Sequence, residues 1–129
     1  MDFFQINASI DYSSVLIVDD EPFILDIYSE LFSQFGVNVQ AAQSPQEAYD
    51  YMQYDTYDLI LTDVVMASGG FSQFLRFIKD SPKFKHVPMI AVTGVPERIS
   101  STDTSLLTGV IEKPFTPEEM LVNIHSILN

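Results

Sequence analysis

Four short apolar runs, each stopping at a polar residue, constrain this chain more than any other feature. Val15-Leu16-Ile17-Val18 stops at Asp19-Asp20, Leu59-Ile60-Leu61-Thr62 at Asp63, Met89-Ile90-Ala91-Val92 at Thr93, and Val110-Ile111 shortly before Lys113-Pro114. Apolar runs that do not alternate with polar residues fit strands buried on both faces, and such strands belong to parallel sheets covered by helices. A parallel sheet collects its chemistry in the crevice beyond the strand carboxyl ends. Three carboxylates, a hydroxyl and an ammonium are therefore expected to converge at one rim.

The intervening residues supply the helices. Pro22 opens one in which Ile24, Leu25, Tyr28, Leu31, Phe32 and Phe35 recur at helical spacing until Gly36. Ser44-Pro45-Gln46-Glu47 and Thr116-Pro117-Glu118-Glu119 each place a cap residue, a first-turn proline and a third-position glutamate ahead of a helical pattern. After Gly69-Gly70, Phe71, Phe74, Leu75 and Ile78 mark another helix, and the Phe residues, Phe77 included, read as mostly core. The stretch 96–107 carries only Ile99, Leu106 and Leu107 as anchors and gives the weakest helix. Strands are expected over 15–19, 37–42, 58–62, 87–93 and 109–112. Five strands alternating with five helices specify an α/β fold, a doubly wound parallel sheet with helices on both faces.

Residues 1–13 lack a period and read as an arm, with Phe3 and Phe4 either packed on the domain or offered as a docking hook; the domain proper is 14–129. At 129 residues the chain is one domain. Its formal charge of -12 repels a phosphate backbone, which argues against direct nucleic-acid binding. With no cysteine there is no disulfide, thiolate metal site or cysteine nucleophile. A signal-peptide pattern and an eighteen-residue apolar stretch are both missing, so a cytoplasmic protein without membrane partners is expected.

Asp19, Asp20 and Asp63 brought together repel by about 4 kcal/mol per pair at about 4 Å and an effective dielectric near 20, so a cation must join them. Oxygen-only ligands suit Mg2+, and with only His86 and His125 available zinc is disfavoured. An aspartate can attack phosphorus to give an acyl phosphate; Asp63, alone at the end of a central strand, is the candidate nucleophile, with Lys113 and Thr93 to stabilise oxygen charge. Taken singly these residues are ordinary: an Asp-Asp pair is most often a turn, and a lone lysine a surface residue. Their joint occurrence at four strand ends gives the functional reading its weight. His86 and His125 receive no role.

Val18-Asp19-Asp20-Glu21-Pro22, Leu61-Thr62-Asp63-Val64-Val65-Met66, Ala91-Val92-Thr93-Gly94 and Glu112-Lys113-Pro114-Phe115 together resemble the receiver domain of two-component response regulators (the CheY-like family) over about residues 14–129. The resemblance implies a flavodoxin-like strand order 2-1-3-4-5 and a cis Lys113-Pro114 peptide. It also implies Asp63 as phosphoacceptor, Thr93 as switch hydroxyl, Lys113 as phosphate partner, and Asp19, Asp20, Asp63 and the Val65 carbonyl as magnesium ligands. The function so implied is a signalling receiver in a two-component system or phosphorelay, taking a phosphoryl group from a histidine kinase or histidine phosphotransfer protein and passing a conformational signal to a downstream protein. Such a receiver is not a conventional enzyme, though it assists its own aspartyl phosphorylation and dephosphorylation. It works as a monomer or a phosphorylation-linked dimer.

Two departures from the family pattern bear on the output. Ala67 follows Met66 where proline is usual, and Val110 stands where an aromatic switch residue is common. Together with the weak helix over 96–107, they motivate an alternative, a receiver-like interaction module that works without phosphate. A phosphatase of the haloacid dehalogenase type is disfavoured, because Val65 occupies the position of its second acid. With only Asn129 beyond the last helix, output is expected through docking; a single-domain regulator, a phosphorelay shuttle and an excised receiver all fit.

Overall fold

The structure, a computed structural model, describes residues 2–129 and, at position 3, the backbone alone. The elements run α1 (Phe3–Ser9), β1 (Ser14–Val18), α2 (Pro22–Ser33), β2 (Asn38–Ala42), α3 (Pro45–Met52), β3 (Leu59–Asp63), α4 (Phe71–Asp80), β4 (Met89–Thr93), a 3-10 turn (Pro96–Arg98), α5 (Ser101–Leu106), β5 (Gly109–Glu112) and α6 (Pro117–Leu128). The five strands form one all-parallel sheet in the order β2-β1-β3-β4-β5, as the resemblance implies. Each expected strand lies within two residues of the observed one.

Strand alternation divides the core in two. Val15, Ile17, Leu59, Leu61, Ile90, Val92 and Ile111 face Leu25, Tyr28, Leu31 and Phe32 of α2 and Met120, Leu121 and Ile124 of α6. Leu16, Val18, Ile60, Met89 and Ala91 face Ala48 and Met52 of α3 and Phe71, Phe74, Leu75 and Ile78 of α4. All five residues of β3 and of β4 are buried, so the polar ends of these strands are fixed in a rigid frame. The helix caps fall where the sequence announces them: the Ser44 hydroxyl accepts from Glu47 N, and Thr116 and Glu119 close a reciprocal capping box.

Three local differences have physical reasons. Within the stretch read as an arm without a period, residues 3–9 form a helix, opened by an Asp2/Gln5 capping box and docked on α6, with Ile6 and Tyr12 buried. Phe4 is 81% exposed; the Phe3 side chain lies outside the described residues. The weak helix after β4 is broken into a 3-10 turn and six residues of α5, whose one buried side chain is Asp103. Phe77 is 45% exposed and packs edge-on against Tyr49, at 4.7 Å between ring centroids, so it covers the core rather than filling it.

Candidate functional site

Parallel pairing brings the four polar strand ends to one rim. β1 and β3 pair Val18 with Thr62, which places Asp19 beside Asp63; β3 and β4 pair Asp63 with Val92, which puts Thr93 next along. β4 and β5 pair Thr93 with Glu112, and Lys113 N donates to Thr93 O at 2.9 Å. The Lys113-Pro114 peptide is cis.

Lys113 Nζ lies 3.6 Å from Asp19 Oδ2 and 3.6 Å from Asp63 Oδ2, so one ammonium bridges two buried carboxylates. Asp63 Oδ1 accepts from Val64 N at 2.7 Å and from Val65 N at 3.4 Å, which fixes the plane of its carboxylate. Asp19 Oδ1 accepts from Glu21 N at 3.0 Å, and Asp20 Oδ2 accepts from Ala67 N at 2.7 Å, tying the β1–α2 turn to the loop after β3. The Thr93 hydroxyl, 1% exposed with its residue, accepts from Val95 N at 3.1 Å and so holds its own loop.

Burial raises the Asp19 pKa above its ordinary value, and the neighbouring Asp63 and Glu21 charges add to it; the Glu21 N–H and the Lys113 ammonium work in the other direction. The Tyr28 hydroxyl is pushed up for the same reasons, burial first and then the charges of Asp19, Asp63 and Glu21. Both shifts come first from burial, and the neighbouring carboxylate charges add to it.

One carboxylate oxygen each from Asp19, Asp20 and Glu21 lie within 4.8 Å of one another. This is an all-oxygen donor set on a tight turn, the chemistry that a hard divalent cation selects. Glu21 is the acid that sequence reasoning passed over; it stands inside the motif just before the proline that opens α2, and only its nearness to Asp19 and Asp20 marks it. The expected residues Asp19, Asp63 and Lys113 meet directly. Asp20 joins them through Asp19 and the Ala67 amide, and Thr93 lines the same rim without touching Asp63 in this arrangement.

A 2-1-3-4-5 parallel sheet carrying acids at the ends of β1 and β3, a buried hydroxyl at the end of β4 and a lysine after β5 defines a receiver-type signalling domain. The chain belongs to the response regulator receiver domain family, whose pattern it matches over residues 15–125. It is 28% identical over 119 residues to response regulator Rre1 of Synechocystis, covering 89% of this chain and 51% of that protein. To the phosphate regulon transcriptional regulatory protein PhoB of Escherichia coli it is 26% identical, covering 88% and 51%. Among solved structures it superposes on the chemotaxis response regulator CheY4 of Vibrio cholerae with a TM-score of 0.80 at 26% identity, covering 89% of this chain and 98% of that one. The chain thus spans about half the length of Rre1 and PhoB. As a receiver domain of two-component signalling it keeps the acidic pocket, and the phosphate-independent alternative gains no support. No helix among the described residues is long and apolar enough to cross a membrane.

Proposed function

We propose that Asp63 is the phosphoacceptor and that Asp19, Asp20, the Asp63 carboxylate and the Val65 carbonyl hold Mg2+ beside it. The observation that supports this best is the pair of 3.6 Å contacts from Lys113 Nζ to Asp19 and Asp63, with the Asp63 carboxylate pinned by two backbone amides. When bound, the cation neutralises phosphoryl oxygen charge. An Asp63 oxygen attacks phosphorus of a phosphohistidine on a kinase or phosphotransfer protein; the P–O bond forms as the P–N bond breaks, and the electron pair goes to the ring nitrogen of an imidazole already protonated on its other nitrogen, which leaves as neutral imidazole. Lys113 then follows the transferred oxygens, and the Thr93 hydroxyl donates to one of them after releasing Val95 N. Positioning and charge neutralisation are the whole of the catalytic contribution, which is why no general acid is needed.

The rearrangement of Thr93 and Lys113 shifts the population of the face formed by α5, β5 and α6, and this face presents the signal to a downstream protein. The domain acts in the cytoplasm, as a monomer or as a dimer formed on phosphorylation. Incubation with acetyl phosphate and Mg2+ is expected to add one phosphoryl group, detected by intact mass, and Asp63→Asn is expected to abolish it. Labelling that persists in Asp63→Asn overturns the assignment.

A further inference from the structure

α5 is attached to the domain in an unusual way. Its one buried side chain is not apolar but the carboxylate of Asp103, 4% exposed. That carboxylate accepts from the Ser72 hydroxyl on Oδ2 and from Arg76 Nη1 on Oδ1 at 2.8 Å, while Asp103 N donates to the Ser100 cap at 3.0 Å. Ser72 and Arg76 stand four residues apart on one face of α4. Among the described residues, the side-chain hydrogen bonds that join α4 to α5 all end on Asp103.

Each of the two helices begins at a loop that leaves the site. α4 follows the loop from Asp63 through Gly69-Gly70, and α5 follows the loop from Thr93 through the 3-10 turn. Between the loops lies an open cavity of about 470 Å³, lined by Val64, Val65 and Met66 on one side, by Arg98 and Ile99 on the other, and by Asp103. Ser72 and Asp103 themselves line this cavity, so the contact between them forms part of its wall and ties the α4 side of the gap to the α5 side.

We propose that Ser72, Arg76 and Asp103 form a latch that holds the loop carrying Thr93 in its unmodified position, making Asp103 a positioning residue for the phosphorylation switch. The proposal rests on the receiver reading of Asp63. Thr93 must leave Val95 N and move toward Asp63 to reach a phosphoryl group, and the segment it draws along runs through the 3-10 turn Pro96–Arg98 into α5, which carries Asp103. A latch satisfied in the unmodified arrangement opposes that movement, and because coupling is reciprocal, weakening it favours ligands that mimic the modified state. With Val110 providing no aromatic ring to follow Thr93, a polar contact between helices is the device available for setting the resting population.

The test uses beryllofluoride with Mg2+ as the phosphoryl mimic, titrated by calorimetry into wild type, Arg76→Gln and Ser72→Ala, with thermal unfolding of each variant alongside. Arg76 is half-exposed, so its replacement leaves the core intact. Both variants are expected to bind the mimic about fivefold more tightly than wild type, the low end of the usual coupling between sites, and amides 101–106 of wild type are expected to exchange faster once the mimic is bound. Loss of packing alone would weaken binding or leave it unmoved, so an equal or weaker affinity in both folded variants overturns the latch while leaving Asp63 as acceptor. Failure of wild type itself to bind the mimic overturns the acceptor reading, and the latch with it.

Discussion

At the scale of single residues the site is a problem of unbalanced charge. Asp19 and Asp63 are nearly dry, and the ammonium of Lys113 stands 3.6 Å from an oxygen of each. Removing one partner of a buried charge contact leaves the others to bear their desolvation unaided, a larger effect than the net worth of the contact itself. In magnesium-free buffer Lys113→Met is therefore expected to lower stability by about 1–2 kcal/mol, read from the midpoint of urea unfolding at unchanged slope; an unchanged midpoint would show that the two acids do not depend on the lysine. The residues of this cluster were legible because each ends an apolar run, and a parallel sheet sends all such ends to the same side. Glu21 and Asp103 were not. Glu21 opens a helix, where an acid needs no special explanation, and Asp103 meets Ser72 and Arg76 across 31 and 27 residues of chain that carry no pattern linking them.

At the scale of elements, legibility followed the apolar stripe. α2, α4 and α6 bury three or four residues at helical spacing each, and the sequence reading placed all three. α1 escaped because seven residues give a helical period too little length to show, although Asp2 and Gln5 carried a readable cap. α5 was weakly marked for a different reason: what it buries is a carboxylate, and no hydrophobic pattern can announce that. Its attachment should consequently depend on pH. The Ser72 hydroxyl, then the Arg76 guanidinium, hold the Asp103 carboxyl below its ordinary range against the opposing effect of burial. A carboxyl depressed on folding stabilises the folded state above the unfolded-chain value, about pH 4, and that contribution fades as pH falls through the lower folded value. Asp103→Asn is expected to be less stable than wild type at neutral pH, with the gap constant above about pH 5 and closing below pH 4. Urea midpoints across that range check it, and a gap that widens on acidification contradicts the arrangement seen here.

At the scale of the molecule, a formal charge of -12 on 129 residues opposes compaction, and three of the eighteen acids, Asp19, Asp20 and Glu21, share one turn. Two effects of added magnesium then have to be separated. General screening relieves repulsion across the whole surface and is reproduced by sodium chloride at equal ionic strength. Binding at the rim, on the function proposed above, would be specific to the folded state, because in the unfolded chain Asp63 and the β1 turn are far apart, and would stabilise by mass action, about 2.7 kcal/mol when the free ion is a hundred times its dissociation constant. For a domain of this size each kcal/mol moves the thermal midpoint by about 4 °C. Wild type is therefore expected to melt higher in magnesium than in matched sodium chloride, by about 10 °C near saturation. In Asp20→Asn the excess over sodium chloride should largely vanish while the response to sodium chloride itself stays. A response to both salts that is identical in wild type and variant would mean that the acids at the rim act only as dispersed surface charge, and the convergence of strand ends would then have no ion to explain it.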